Sequence, residues 1–308
     1  MRFATHPASL RQLQYAVAVA ETGSFRKAAE VCHVAQPSLS FQLALLEQQL
    51  GVVLFERRKK GTLVTSAGAP LITQMRVVLT AADDLLDAAR ASSDPLAGEL
   101  ELGVIPTVSP YSLPLLVGPL RDALPRLAVR WVEDKTPNLR DALAEGRLDG
   151  ALLAIEADIG DVEVYPVLKD RFMLAAPLGH PLAKSKRPLK LDDLHDAPVL
   201  LLDDGHCLRD QALPLCHAAK ARTLELRATS MATLVQMVAS GLGVTLVPEL
   251  ALPVENRLGG LAVRAFANPQ PFRTIGLVWR RHSPRAATLR AVGKAMATAL
   301  AAPQGARG

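Results

Sequence analysis

The chain has 308 residues, of which 49% are hydrophobic and 21% charged, with a formal net charge of +5 at pH 7. This length predicts about two domains, and the composition allows ordinary packed cores. No apolar run reaches the length of a transmembrane helix, no segment has the pattern of a secretory signal, and three cysteines argue against a secreted disulfide framework. We therefore expect a cytoplasmic protein without a membrane partner.

The first 65 or so residues have the hydrophobic spacing of short helices. An apolar stripe over residues 10–20 predicts one helix, which Gly23 interrupts. Ser24 is a good N-cap for a second helix over residues 25–31. Pro37 opens a third helix, from Ser38 to about residue 50.

The second and third helices fit a helix-turn-helix that binds double-stranded DNA. Small Ala28 and Ala29 let the two helices approach, and the later helix presents polar side chains to the groove. The predicted DNA contacts in this motif are Ser24, Gln36, Pro37, Ser38, Ser40 and Gln42.

A basic wing and a long helix follow. Residues 52–55 and 63–64 flank the densest cationic run as wing strands would, and each cation would add a salt-sensitive phosphate contact. These cations are Arg57, Arg58, Lys59 and Lys60. Thr65 caps a helix over about 66–91, whose apolar face would pack on a second copy or on its own domain. Residues 92–98 are the clearest linker.

From residue 98 onward the pattern changes to alternating strands and helices, which is typical of an α/β fold. Strands are predicted at 100–105, 128–133, 150–155, 171–175, 199–202, 224–228, 244–247 and 275–279. Helices are predicted at 113–123, 138–144, 230–240 and 284–301. We expect two lobes with a cleft between them, lobe I over about 98–168 and 273–308 and lobe II over about 169–272.

The segment from Cys207 to Cys216 holds two of the three cysteines. His206 and Arg209 flank the first cysteine, and both could favour its thiolate. If residues 208–216 are helical, the two Cα atoms lie roughly 13 Å apart, whereas a disulfide tolerates no more than about 7 Å. The pair could then close only if the segment unwinds, and that would be a redox switch.

Two other interpretations of the cysteines are an inert buried thiol and a metal site. A free cysteine is most often an inert buried residue. The spacing of Cys207, Cys216, His206 and His217 is not standard for zinc, so we expect no metal and no cofactor.

Motifs over residues 10–68 carry a family resemblance. They are Leu10-Arg-Gln-Leu, Gly23-Ser-Phe25, Ala28-Ala29, Gln36-Pro-Ser-Leu-Ser40, Leu45-Leu-Glu47, Leu50-Gly51, Leu54-Phe-Glu-Arg57 and Thr65-Ser-Ala-Gly68. In these motifs the chain resembles the LysR-type transcriptional regulators. That resemblance implies an all-α winged helix-turn-helix over 1–65, a dimerising linker helix over 66–92 and a two-lobed regulatory domain over 98–308. It also implies a regulatory domain of the type 2 periplasmic-binding-protein-like class, usual assembly as tetramers, and contacts with RNA polymerase.

Two departures from the family pattern concern the third helix. Ala35 stands where a serine cap is common, which costs the helix about 1 kcal/mol of capping. Phe41 stands at a position that is often polar or small. Both bear on base preference.

Four motifs of the regulatory domain carry a narrower resemblance. They are Gly103-Val-Ile-Pro-Thr-Val-Ser-Pro-Tyr111, Leu202-Asp-Asp-Gly-His-Cys-Leu-Arg-Asp-Gln-Ala212 with Cys216, Arg227-Ala-Thr-Ser230 and Arg273-Thr-Ile-Gly-Leu-Val278. These motifs resemble the hydrogen-peroxide-sensing branch of the family. The resemblance implies that Cys207 attacks peroxide to form a sulfenic acid and that Cys216 resolves it as a disulfide. A dithiol reductant such as glutaredoxin or thioredoxin would reverse the bond.

The same resemblance implies roles for the residues around the thiol. Thr107, Thr136 and His206 would hold peroxide, while Arg209, Asp210 and Arg273 would stabilise the reduced arrangement or help to activate the thiol.

We predict a peroxide-sensing transcriptional activator of antioxidant genes that is not an enzyme. The first alternative is a LysR-type regulator that answers a small metabolite bound between the lobes, which leaves the cysteines unexplained. The second is a thiol peroxidase, which would have no use for residues 10–65.

Overall fold

The computed structural model describes residues 8–301, except 59, 60, 92, 93, 95, 185 and 186. Of the predicted features, Lys59, Lys60 and part of the 92–98 linker lie outside the described residues, as does the side chain of Arg57. The chain divides into two compact units, one comprising residues up to 90 together with 144–147 and the other comprising the remainder. Of the helices that the structure describes, none combines the length and apolar character needed to cross a bilayer.

The first unit contains four helices and a two-stranded hairpin. These are α1 (Leu10–Thr22), α2 (Phe25–Val31), α3 (Gln36–Leu50), β1 (Phe55–Arg58), β2 (Gly61–Val64) and α4 (Gly68–Ala91). Gly23 ends α1 with φ near +60°, a conformation that glycine adopts without strain. Ala28 and Ala29 are fully buried, and the apolar face of α3 packs into the same core. The predicted helices are confirmed, and α3 begins two residues earlier than expected.

The wing strands extend closer to the hairpin turn than predicted, since the second strand begins at Gly61 rather than at residue 63. The first strand begins at Phe55 rather than at residue 52, and Arg58 pairs with Gly61 at the turn. The carboxylate of Glu47 accepts the backbone N–H groups of Leu54, at 2.6 Å, and of Phe55, at 3.2 Å. The segment before β1 is therefore tied to α3 instead of continuing the hairpin.

A serine at position 35 is expected to stabilise α3. Ala35 is the N-cap residue in an extended conformation, and it makes no side-chain capping bond. A hydroxyl there would accept an N–H of the first turn and add about 1 kcal/mol. In the Ala35→Ser variant, hydrogen exchange of the α3 amides should slow about fivefold.

The matched comparison is Ser24→Ala, which removes the existing cap bond from Ser24 Oγ to the Lys27 N–H. That variant should speed exchange in α2 by a similar factor. Unchanged protection of α3 in Ala35→Ser would contradict the expectation.

The long helix α4 begins at Gly68, two residues later than predicted. The Thr65 hydroxyl accepts the Gly68 N–H at 2.9 Å, so Thr65 caps the helix as expected. Ile72 and Met75 near its start are buried in the core of the first unit. Further along, four large apolar side chains are exposed: Val77, Val78, Leu85 and Leu86.

The second unit is an α/β fold, which confirms the predicted class. Its strands are β3 (Gly98–Val104), β4 (Leu127–Glu133), β5 (Gly150–Ala154), β6 (Val162–Pro177), β7 (Pro198–Leu202), β8 (Arg222–Ala228), β9 (Thr245–Pro248), β10 (Leu261–Ala265) and β11 (Phe272–Arg280). Its helices are α5 (Ser109–Ala123), α6 (Thr136–Ala144), α7 (Pro181–Lys184), α8 (Cys207–Ala218), α9 (Met231–Ala239), α10 (Leu252–Glu255) and α11 (Ala286–Ala301).

Two strand features differ from the sequence prediction. The strand predicted over 171–175 is only the buried end of the 16-residue β6, and β10 was not predicted. The first half of β6 and most of β10 are only half-buried. Continuous apolar runs predict strands that are covered on both faces, so half-buried strands such as β10 have no such signal.

Strand β6 joins two groups of strands. The sheet order is β10-β6-β11-β5-β3-β4, and β9 also pairs with β6. Residues of β6 up to Arg171 pair with β11, whereas residues from Phe172 onward pair with β9 and β10. Pairing is parallel for β3 with its neighbours and for β7 with β8, and antiparallel around β6. The expectation of parallel strands therefore holds for only part of the fold.

Candidate functional site

Helix α8 carries both cysteines of the singled-out segment. It begins at Cys207, includes Cys216 and has His206 as its N-cap residue. Both thiols are free and buried. The segment between the two cysteines is therefore helical. Nine residues of helical rise separate the Cα atoms of Cys207 and Cys216 by about 13 Å. A disulfide cannot form in this conformation.

Cys207 lies at the N-terminus of α8, where the helix dipole favours an anion. Burial nevertheless raises the pKa of its thiol above the ordinary value. The positive charge of Arg273 opposes that rise, as do hydrogen bonds with Thr136 and Thr107, while Asp210 adds to it. The balance leaves a protonated thiol in contact with groups that stabilise its anion.

Arg273 is the buried cation of this site. Its side chain has no exposed surface. Nη1 donates to Thr107 Oγ1 at 2.9 Å, Nη2 donates to the Thr107 carbonyl at 3.0 Å, and Nε donates to Asp170 Oδ2 at 2.9 Å. Because the Thr107 oxygen accepts from Arg273, its hydroxyl hydrogen is left to be donated to the sulfur of Cys207.

Thr136 approaches the thiol from the start of α6. The residue is 6% exposed, and its Oγ1 makes no hydrogen bond among the residues that the structure describes. Its hydroxyl is nonetheless placed to donate to the thiolate of Cys207, and this interaction lowers the pKa of the thiol. The structure therefore brings together Cys207, Thr107, Thr136 and Arg273 from four separate parts of the sequence.

Burial keeps His206 from supplying positive charge to the thiol, and the side chain of Arg209 is bonded to a neighbouring loop. Burial and the nearby charge of Lys135 lower the pKa of His206, so the imidazole is neutral. Its Nε2 is buried and lacks a partner within the described part of the chain. His206 is thus a polar group facing the site rather than a cation.

Arg209 is engaged on the loop before α8. Its Nε lies 2.9 Å from Asp204 Oδ1, and Nη1 donates to the Leu202 carbonyl at 3.1 Å. These bonds hold the loop against the helix start, so Arg209 stabilises the helical arrangement of α8. The negative charge of Asp210 raises the pKa of Cys207, which is opposite to activation of the thiol.

Two residues near the thiol were missed by sequence reasoning. Asp170 binds Arg273 across 103 positions of sequence, and no spacing signal could connect them. Lys135 donates to the Asp204 carbonyl at 3.0 Å and lies over Gly205, whose φ is +83°. A side chain at position 205 would be strained and would crowd Lys135.

We expect the thiol of Cys216 to make the fold less stable in alkaline solution. Burial raises the pKa of Cys216 from 9.0 to about 11 in the folded chain. Above pH 9 the unfolded chain loses this proton while the folded chain keeps it, so folding becomes less favourable until the pH passes the folded value. The full loss is about 2–3 kcal/mol.

The measurement is urea unfolding at pH 8 and pH 10.5 under reducing conditions. Wild type should lose about 2 kcal/mol more between these pH values than Cys216→Ala, which lacks the group. Equal losses in both proteins would show that the thiol ionises in the folded chain as it does in the unfolded chain.

Several of the predicted DNA-binding residues lie in the first half of α3. They differ in exposure and in whether their side chains already make hydrogen bonds within the protein. Gln36, Pro37 and Ser38 are exposed. Ser40 accepts from Gln36 Nε2 at 3.4 Å, and Gln42 Oε1 accepts from the buried Gln12 at 3.1 Å. The side-chain carbonyl oxygen of Gln42 therefore already accepts a hydrogen bond within the protein.

Three further residues of the first unit bear on the predicted DNA contacts. The Ser24 hydroxyl caps α2 through the Lys27 N–H. Arg58 lies 3.2 Å from Glu56 on the wing. Phe41 is 63% exposed on α3, one residue before Gln42, so a large apolar ring stands among the polar groups.

Comparison with known proteins places both units in one family. Residues 10–69 match the bacterial regulatory helix-turn-helix protein of the lysR family, and residues 93–301 match the LysR substrate binding domain. A probable hydrogen peroxide-inducible genes activator from Mycobacterium avium is 45% identical over 283 residues, covering 91% of each chain.

Solved structures agree with this assignment. Full-length OxyR from Pseudomonas aeruginosa, with one cysteine replaced by aspartate, has a TM-score of 0.80 and 35% identity over 95% of both chains. A hydrogen-peroxide-bound cysteine-to-serine mutant of Corynebacterium glutamicum OxyR has a TM-score of 0.66 and 36% identity, covering 96% of this chain and 93% of that one. The chain therefore belongs to the LysR family of DNA-binding transcriptional regulators, among the relatives named hydrogen peroxide-inducible genes activators.

Proposed function

We propose that this regulator senses hydrogen peroxide through Cys207 and converts the signal into a Cys207–Cys216 disulfide that activates antioxidant genes. The observation that carries the proposal is the buried thiol at the start of α8, whose pKa is lowered by the charge of Arg273 and by the hydroxyl groups of Thr136 and Thr107, with Arg273 bonded to Thr107. Relatives named as peroxide-inducible activators, and an OxyR structure with peroxide bound, support the same signal.

The first chemical step oxidises Cys207. The thiolate sulfur attacks one peroxide oxygen, the O–O bond breaks, and the departing hydroxide takes a proton to become water. Cys207 is left as a sulfenic acid. The hydroxyl groups of Thr107 and Thr136 hold the peroxide, His206 adds a neutral polar contact, and Arg273 stabilises both the thiolate and the departing anion.

The second step forms the disulfide. The thiol of Cys216 attacks the Cys207 sulfur, loses its proton and displaces the sulfenic oxygen as a second water. One peroxide and two thiols thus give one disulfide and two waters. Because the helix keeps the two sulfurs too far apart, α8 must unwind first. Pro214 in the helix interior lacks an N–H donor and weakens the segment between the cysteines.

The disulfide changes the regulator because α8 cannot return to its helical form until the bond is reduced. We propose that this rearrangement alters the pairing of regulatory domains over 98–308 and thereby the way in which dimers and tetramers hold DNA. The exposed apolar face of α4 supports pairing through the 66–92 helix. RNA polymerase binds the oxidised form, and a dithiol reductant such as glutaredoxin or thioredoxin reduces the disulfide again in the cytoplasm.

Non-reducing peptide mapping by mass spectrometry, before and after one equivalent of peroxide, tests the proposal. We expect a new Cys207–Cys216 cross-link within seconds, reversed by a dithiol. If Cys207 remains a free thiol under excess peroxide, the sensor role is wrong and a metabolite bound between the lobes becomes the better effector. Repeated turnover of peroxide without any change in transcription would instead favour a thiol peroxidase.

A further inference from the structure

A buried ion pair lies where strand β6 changes partners. Arg273 of β11 stands opposite Asp170 of β6, immediately before the point at which β6 leaves β11 and joins β9 and β10. Both side chains are buried, with 0% and 1% of their surfaces exposed. A buried pair in such a position has few alternative partners, so each side chain fixes the position of the other.

The ion pair is hydrogen-bonded to one residue that follows β3 and to one that follows β9. Arg273 donates to the side chain and carbonyl of Thr107, which follows β3. Asp170 accepts the Leu250 N–H at 3.0 Å through its second oxygen, Oδ1. Asp170 is thereby held on one side while it holds the guanidinium of Arg273 on the other.

A chain of contacts leads from Asp170 to the sulfur. Asp170 fixes the guanidinium, the guanidinium donates to Thr107, and both Arg273 and the Thr107 hydroxyl stabilise the Cys207 anion and lower the pKa of this thiol. Asp170 also supplies the negative charge that offsets Arg273. With this carboxylate in place and the thiol protonated, the charges of Asp170 and Arg273 cancel.

We propose that Asp170 is a positioning residue that sets the reactivity of Cys207 by aiming the Arg273 guanidinium and offsetting its charge. The inference deepens the proposed function, since it concerns the same thiol. It predicts that Asp170 limits formation of the thiolate and so determines how much peroxide is needed for a response.

The Asp170→Asn variant isolates the charge. Asparagine keeps the shape of aspartate and an oxygen that can accept the Leu250 N–H, but it removes the carboxylate charge that is paired with Arg273. The thiol of Cys207 already feels the charge of Arg273, and its ionisation would restore neutrality. The thiolate should therefore form at a lower pH than in wild type.

The experiment measures the pH profile of Cys207 alkylation by iodoacetamide, in chains that also carry Cys32→Ser and Cys216→Ser. We expect Asp170→Asn to move the midpoint down by at least about one pH unit, which is a tenfold rise in thiolate below the midpoint. The matched control is Glu249→Gln, which removes an exposed carboxylate next to Leu250 and should leave the profile unchanged. An Asp170→Asn profile that coincides with the control would overturn the proposal.

A second measurement covers the case in which Asp170→Asn folds poorly at neutral pH. If the thiolate offsets Arg273, Asp170→Asn should cost less stability in urea unfolding, relative to wild type, at pH 10 than at pH 6.5, because its thiol ionises at a lower pH. Introducing Cys207→Ser into both proteins should remove that pH dependence. An equal cost at the two pH values, or the same pH dependence without the thiol, would show that Asp170 serves folding alone and would overturn the proposal.

Failure of this inference is distinguishable from failure of the proposed function, because alkylation involves no peroxide. A shifted profile in a chain whose Cys207 resists peroxide would preserve the role of Asp170 and refute the sensor. An unshifted profile in a chain that forms the disulfide would do the reverse.

Discussion

Replacing Cys207 with serine is expected to abolish the response to peroxide completely. A serine hydroxyl is not ionised at neutral pH even beside Arg273, so it cannot attack the O–O bond. The substitution changes one buried atom at the start of α8 and leaves the DNA-binding unit untouched. DNA binding by the reduced form should therefore persist while peroxide-dependent transcription is lost.

The measurement is transcription from a responsive promoter with and without peroxide. Cys32→Ser is the matched control, because Cys32 belongs to the first unit and takes no part in the proposed chemistry. Cys216→Ser should halt the reaction at the sulfenic acid of Cys207, which a dimedone adduct would detect. A peroxide response that survives in Cys207→Ser would refute the assignment of this cysteine.

Replacing Arg273 with alanine is expected to cost about 3–5 kcal/mol of folding free energy, because it leaves the Asp170 carboxylate buried without its partner. The same change removes the positive charge that lowers the pKa of Cys207. The variant should therefore be both less stable and much slower to react with peroxide.

Urea unfolding followed by the fluorescence of the buried Trp279 on β11 measures the loss of stability. Arg209→Ala is the comparison, since its partner Asp204 is 86% exposed and such pairs contribute less than about 1 kcal/mol. If Arg273→Ala and Arg209→Ala lower the free energy of unfolding by the same amount, the buried pair of Arg273 and Asp170 does not stabilise the fold more than an exposed pair does.

Much of the helical structure could be predicted from local pattern. Gly23, Ser24 and Pro37 are signals at helix ends, and the structure places helix boundaries at or within two residues of them. A helix from Cys207 to Cys216 was posed only as a condition, and the structure shows that this segment is helical. These features depend on neighbours a few positions away along the chain.

The charge environment of the thiol was not accessible in the same way. Cys207 has His206 and Arg209 beside it in the sequence, and both looked like activating cations. Folding buries His206 in its neutral form and directs Arg209 to the Asp204 loop. Adjacency in sequence did not predict which cation reaches the sulfur, because the direction of a side chain depends on the whole fold.

The sequence by itself determined the class of the protein, its two cysteines nine positions apart and the polar surface of α3, since these follow from residue identity and short-range periodicity. The family resemblance already implied Arg273, Thr107 and Thr136 at the thiol, and only the tertiary structure decided that Arg273 bonds Thr107 and that Asp170 holds the guanidinium. Those groups come from distant strands and helices, and they meet because β6 and β11 pair over their length and bring Asp170 opposite Arg273. Burial then excludes water, so that a few charges and hydroxyl groups control the chemistry of one sulfur.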